Sequence, residues 1–205
     1  MSDSKVMQDK KFLLTPTHSP LGSVVFWLTG ISGAGKTTIA DSFEKFCRSA
    51  QLPIIMLDGD IVRCGLNSDL GFTEKDRSEN IRRIAEVAAL MADAKILVIV
   101  ACISPSGTFR NMARKIIGEE RFIEVHIDTP LVVAEKRDPK GLYSLARSGK
   151  LLEFTGIHLP YEAPHNPQIR IDTMSTDVGR AVEILFLHLI RWQQGVRQPR
   201  KPSLS

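Results

Sequence analysis

The chain has 205 residues and a formal net charge of +4, enough for one α/β domain with its own core and too short for two of ordinary size. Four basic residues, Arg191, Arg197, Arg200 and Lys201, stand without any acid in the stretch 191–205, so the charge belongs to a polar tail, and its run Arg-Gln-Pro-Arg-Lys-Pro has no aromatic platform interleaved to suggest nucleic acid. The three cysteines and five histidines are dispersed, which excludes a disulfide framework or zinc spacing, and no apolar run approaches the ~18 residues of a membrane span; a reducing cytoplasm is the expected setting.

In chain order, residues 1–20 are polar and aperiodic and are expected to form an arm outside a domain that spans 21–190, with 191–205 as the tail. Val24-Val25-Phe26-Trp27-Leu28 reads as a buried strand, and Ile39, Phe43, Phe46, Cys47 and Ala50 keep helical spacing. Between them Gly30-Ile31-Ser32-Gly33-Ala34-Gly35-Lys36-Thr37 fits G-x-x-x-x-G-K-[ST], and Thr38 follows. In a strand-loop-helix setting these glycines let the backbone turn its N–H groups around an anion at the helix N-terminus. Lys36 would reach the β- and γ-phosphates of ATP and Thr37 would ligate Mg²⁺.

Ile54-Ile55-Met56-Leu57 reads as a second strand ending in Asp58-Gly59-Asp60. In an open parallel sheet the ligand crevice lies beyond the carboxyl ends of the strands, so both carboxylates are delivered toward the phosphates, although either one also suits a helix N-cap. Arg63 and Arg77 are fork-shaped donors suited to a phosphate or sulfate, and from Ser78 onward Ile81, Ile84, Ala85, Ala88 and Met91 form the apolar face of a helix. Ile96–Ala101 reads as a central strand covered on both faces. It leads to Ile103-Ser104-Pro105 at the crevice edge, with no terminal aspartate for a metal, a task that falls to Asp58 and Asp60. A helix with Met112, Ala113, Ile116 and Ile117, a strand Phe122–Ile127, a short helix Leu131–Arg137, a strand Ile169-Arg170-Ile171 and a closing helix around Val178–Leu189 continue the alternation. The stretch 138–167, rich in basic residues, glycine and proline, suits a mobile lid. The fold class is α/β, a doubly wound parallel sheet of the P-loop type flanked by helices.

From Val24 to Leu189 these residues resemble the adenylylsulfate kinase (APS kinase) family. The likeness rests on Gly30–Thr37, Leu57-Asp58-Gly59-Asp60 with Arg63, Gly71-Phe72 with Arg77 and Glu79-Asn80, Ile103-Ser104-Pro105, Arg137-Asp138-Pro139-Lys140-Gly141-Leu142-Tyr143, and Phe154-Thr155-Gly156-Ile157 before Pro160-Tyr161-Glu162. The resemblance implies transfer of the ATP γ-phosphoryl group to the 3′-hydroxyl of adenosine 5′-phosphosulfate, giving PAPS and ADP with Mg²⁺, by a cytoplasmic homodimer serving sulfate activation. It assigns the acceptor to Asp58, Asp60, Arg63, Phe72, Arg77, Asn80, Ile103, Ser104, Lys140, Gly141, Leu142 and Phe154, with Phe72 and Phe154 sandwiching its adenine. Arg137 goes to the nucleotide, Thr37 and Asp58 to the metal, and Lys36, Asp58 and Ser104 to catalysis, Ser104 matching a serine described in the family as phosphorylated.

The chain departs from the family pattern at Ser106-Gly107, where an aromatic residue or histidine and then an arginine are expected, at His158, where aspartate is usual, and in its arm, which lacks a basic lead-in. Arg110, one helical turn on, could stand in for the missing arginine. Two other readings remain open at this point: another small-molecule P-loop kinase, or a catalytically silent nucleotide-sensing domain regulating a partner such as ATP sulfurylase. Direct transfer with Asp58 as proton acceptor asks less of the site than a relay through Ser104, which has no base beside it in sequence.

Overall fold

The computed structural model describes residues 23–197. Along the chain β1 (Val25–Thr29) leads to α1 (Lys36–Ser49), β2 (Ile54–Asp58), α2 (Gly59–Cys64), α3 (Glu74–Asp93), β3 (Leu97–Ala101), α4 (Gly107–Ile117), β4 (Phe122–Asp128), α5 (Leu131–Arg137), α6 (Leu142–Arg147), β5 (Ile169–Asp172) and α7 (Val178–Arg197). The strands form one sheet in the order β2-β3-β1-β4-β5, every neighbouring pair parallel.

Parallel strands joined by helices are covered on both faces, and β1 is buried at every position. Strand side chains alternate between the two sides. Phe26, Leu28, Ile99 and Val125 join Phe43 of α1 and Leu185 and Phe186 of α7, whereas Val25, Trp27, Val98 and Val100 join Ile84 and Ala88 of α3 and Phe109 and Ala113 of α4. The rings of Phe26 and Phe43 meet edge to face at 5.4 Å, and Trp27 lies 5.6 Å from Phe122.

Register decides where the chemistry emerges. Leu28 of β1 and Asp58 of β2 both stand opposite Ala101 of β3, so these three strands deliver their next residues to one edge of the sheet.

Three expectations are corrected. The short helix α2 is absent from the sequence reading; it forms because the Asp58 carboxylate accepts from the N–H groups of Asp60 and Ile61. Helix α3 starts at Glu74, ahead of its apolar face, because the Thr73 hydroxyl accepts from the Asp76 N–H. The closing helix continues to Arg197, past the boundary expected at 190. The arm 1–20 and the tail beyond 197 lie outside the described residues. Within 138–167, α6 and an isolated bridge between Thr155 and Leu159 are the regular structure, and Tyr143, Ala146 and Phe154 anchor the stretch in the core. Among the described residues no helix is long and apolar enough to cross a membrane.

The extension of α7 has a purpose in packing: the Trp192 indole N–H donates to the Glu120 carbonyl at 2.7 Å, and Gln193 is buried. A chain ended after Ile190 is therefore expected to lose about 1–3 kcal/mol of stability, whereas one ended after Arg197 keeps it; urea unfolding of the two truncations checks this.

Candidate active site

The loop between β1 and α1 bends where glycine is required. Gly33 has φ +71°, and a Cβ there would stand 2.9 Å from the Ala134 carbonyl oxygen; one on Gly30 would stand 2.6 Å from that of Ile127. A loop that turns its N–H groups toward an anion needs partners for its carbonyls. Lys36 Nζ donates to the carbonyls of Gly30 and Ile31, each at 2.8 Å, the Tyr143 hydroxyl donates to that of Ser32 at 2.9 Å, and the Thr129 hydroxyl donates to that of Ala34 at 3.1 Å. Arg137 reaches both the Ala34 carbonyl and the Thr173 hydroxyl, each at 3.5 Å, beside the exit of β5.

Thr37 and Thr38 are exposed at the head of α1. The Thr37 hydroxyl donates to Asp58 Oδ2 at 2.8 Å, and Asp58 Oδ1 accepts from the Asp60 N–H at 2.8 Å. Asp58 thus caps α2 and, with its other oxygen, also meets the loop's hydroxyl. Asp60 forms an ion pair with Lys140, just ahead of Gly141, at φ +66°, which caps the start of α6 at Leu142.

A second cluster gathers around Arg77. Arg77 donates from Nε to the Phe72 carbonyl at 2.7 Å, from Nη1 to the Thr155 hydroxyl at 2.9 Å, and from Nη2 to the Glu153 carbonyl at 2.5 Å. One guanidinium therefore ties the backbone of Phe72 to the Glu153 carbonyl and the Thr155 hydroxyl, on either side of Phe154. Phe72 is 61% exposed and Phe154 is 8% exposed, and the Arg63 guanidinium lies 4.6 Å from the Phe72 ring centroid. Burial first, and then the charge of Arg77, lowers the Arg63 pKa; two converging cations suit an anionic ligand. Asn80 is held by Asn67, whose amide donates to Asn80 Oδ1 at 3.0 Å. Asn67 was not singled out as a site residue by sequence reasoning, because a buried amide pair leaves no periodic signal.

Ser104 differs from its expected place. The chain does leave β3 toward the crevice through Ile103, but Ser104, at φ +45° and 1% exposed, turns its hydroxyl inward. Its Oγ accepts from the Trp27 indole at 2.9 Å and lies 2.9 Å from Cys102 Sγ. The indole is a donor only, and burial pushes the Cys102 thiol up to about 12, so neither neighbour is a base for this serine. Its carbonyl takes Arg110 Nη1 at 2.8 Å.

Arg110 is accordingly no stand-in for the arginine missing at position 107. Its Nε bonds Glu124 Oε1 at 2.9 Å, and Arg114 takes the other oxygen at 3.0 Å. The Gly107 N–H instead meets the Glu162 carboxylate at 2.7 Å, close enough that a Cβ on residue 107 would stand 3.3 Å from it. His158, the other departure, accepts the Phe154 N–H on Nδ1 at 3.3 Å and so braces that turn.

The parallel α/β sheet, the glycine loop with its lysine and threonine, and the acidic residue ending β2 that meets the loop's threonine define a P-loop phosphotransferase. The family model described as adenylylsulphate kinase matches residues 22–172, and the chain belongs to that family and is a kinase. It is 55% identical over 164 residues to the adenylyl-sulfate kinase of Enterobacter sp. (strain 638), covering 80% of this chain and 82% of that one. It is 50% identical over 177 residues to the bifunctional enzyme NodQ of Rhizobium sp. (strain N33), covering 85% of this chain but 27% of NodQ. The structure of the Mycobacterium tuberculosis APS kinase CysC in complex with AMPPNP and APS superposes with a TM-score of 0.80 at 41% identity, covering 84% of this chain and 99% of that one.

Burial lowers Lys36 from 10.5 to about 8, against weaker opposing pulls from nearby acidic groups. The unfolded chain keeps this proton up to 10.5 while the folded one releases it near 8, so between these values the Lys36 contribution to stability rises with pH. Nucleotide affinity should run the other way, falling as pH passes through about 8 and the cation is lost. Calorimetric titration with ATP across this range, repeated with Lys36→Met as a pH-insensitive control, checks the sign.

Proposed function

We propose that this chain transfers the γ-phosphoryl group of ATP directly to the 3′-hydroxyl of adenosine 5′-phosphosulfate, giving PAPS and ADP. The observation that carries the reading is the Arg77 clamp. It joins the segment that carries the exposed Phe72 to the one that carries the buried Phe154, with Arg63 over the Phe72 ring, a combination that suits an acceptor with a flat base and an anionic group. A kinase for a small sugar acid needs no such aromatic pair.

The inward N–H groups of the loop and Lys36 bind the polyphosphate, and Arg137 lies beside the nucleotide. Thr37 and Asp58 offer hard oxygens 2.8 Å apart at the loop's rim; they fit Mg²⁺, which prefers one or two protein oxygens with the rest from phosphate and water. When bound there, the ion neutralises charge on the transferring group. With Thr37 holding the ion directly and Asp58 meeting it through the ion's water shell, Asp58 Oδ2 would be left to accept the 3′-hydroxyl proton, while the Asp60 N–H holds Oδ1. Lys140, Gly141 and Leu142 close over the acceptor from the lid, and Asp60, Asn80, Ile103 and the Ser104 backbone line its floor. Ser104 supports the wall and does not carry phosphate.

The same reading takes the protein as a cytoplasmic homodimer in sulfate activation. The bifunctional NodQ relatives, of which this chain spans about a quarter, support association with a second activity such as ATP sulfurylase.

A coupled ADP-release assay offering adenylylsulfate, shikimate, gluconate and nucleoside monophosphates is expected to show turnover with adenylylsulfate alone. Turnover with a sugar acid, or with none, sinks the reading. In that assay Asp58→Asn should lose at least ~10²-fold in kcat, whereas Ser104→Ala, which loses a bond to Trp27 and no catalytic group, keeps a measurable share.

A further inference from the structure

Tyr143 is 1% exposed and belongs to neither ligand's contacts described above, yet it touches the walls of both sites. Its hydroxyl donates to the Ser32 carbonyl in the phosphate loop at 2.9 Å, and its ring meets that of Phe154 edge to face at 5.0 Å. Its backbone is fixed as well: Asp138 accepts from the N–H groups of Tyr143 and Ser144 at 3.1 and 3.0 Å. The turn after Phe154 returns to the same loop, since a Cβ on Gly156 would stand 3.8 Å from Ile31 Cγ2.

Peptide planarity gives the hydroxyl contact a consequence. In a trans peptide the C=O and the following N–H point in opposite directions, and the described residues contain no cis peptide. Pinning the Ser32 carbonyl toward Tyr143 therefore aims the Gly33 N–H to the opposite side, and the bond polarises that amide as a donor. Burial pushes Tyr143 up to about 12, so its hydroxyl remains a donor at neutral pH.

We propose that Tyr143 is a positioning residue for both substrates, its hydroxyl aligning the Ser32–Gly33 peptide for the nucleotide phosphates and its ring bracing Phe154 at the acceptor. The acceptor half rests on the function proposed above. Tyr143→Phe removes the first contact and keeps the second; Tyr143→Leu removes both.

Calorimetric titration with a non-hydrolysable ATP analogue and steady-state KM values for adenylylsulfate read the two halves separately, with thermal melting as the measure of fold. Tyr143→Phe is expected to weaken the analogue by about 5-fold and to leave the acceptor KM within about 2-fold. Tyr143→Leu should raise both. A purely structural tyrosine would lower the melting temperature and leave the analogue Kd of the folded protein unchanged, and that result for Tyr143→Phe overturns the proposal even if Tyr143→Leu fails to fold. An acceptor KM untouched in a folded Tyr143→Leu overturns the second half. The analogue titration needs no acceptor, so a wild-type chain that binds the analogue but ignores adenylylsulfate overturns the function proposed above and the acceptor half with it, while the Kd still decides the first half.

Discussion

A phosphate loop can aim its N–H groups inward only if its carbonyls are satisfied on the other side, and the rest of this site depends on how that demand is met. The partners come from separate elements: Lys36 from the head of α1, Tyr143 from α6, Thr129 from the turn after β4 and Arg137 from the end of α5. Each of these is held in turn by the sheet or its covering helices. The loop is therefore built by the whole parallel domain, although its sequence is one short local stretch.

The exit of β3 shows the same logic under strain. Ser104 takes a left-handed backbone conformation that costs a non-glycine residue of order 1–3 kcal/mol, and it persists because Trp27 holds its hydroxyl while Arg110 holds its carbonyl. Arg110 is fixed by Glu124, which Arg114 also grips. Taking one partner from such a buried ionic group leaves an uncompensated charge, a loss of about 3–5 kcal/mol, so the cluster belongs to the scaffold that keeps this edge rigid. A hydroxyl already bonded to Trp27 and turned into the core is poorly placed to receive a phosphoryl group, and the function proposed above gives the proton to Asp58, whose Oδ2 meets the Thr37 hydroxyl.

The local parts of this account were legible in the sequence. The β-branched runs gave the strands, the glycine loop stood between a strand and a helix, and Asp58 emerged from a strand end beside the loop's threonine. What escaped were contacts between distant residues: Trp27 with Ser104 lies 77 positions apart, and Arg77 with Thr155 lies 78. Neither has a periodic signature, so Ser104 was expected at the crevice and Arg77 was expected to contact the acceptor without its role as a clamp. Arg110 was misread for a related reason: a sequence shows that an arginine is near, and only packing shows that Glu124 has already claimed it. Helix α2 was missed because a single aspartate followed by glycine reads as well as a turn as it does as a cap.

In the function proposed above, phosphate passes from ATP to the acceptor in one step, with Ser104 outside the chemistry. Each in-line displacement inverts the configuration at phosphorus, so the stereochemical course counts the steps. The decisive measurement is turnover of ATP made chiral at the γ-phosphorus, followed by configurational analysis of the 3′-phosphate in the product. Inversion is the predicted result; retention would mean two displacements through a phosphoenzyme and would contradict the account.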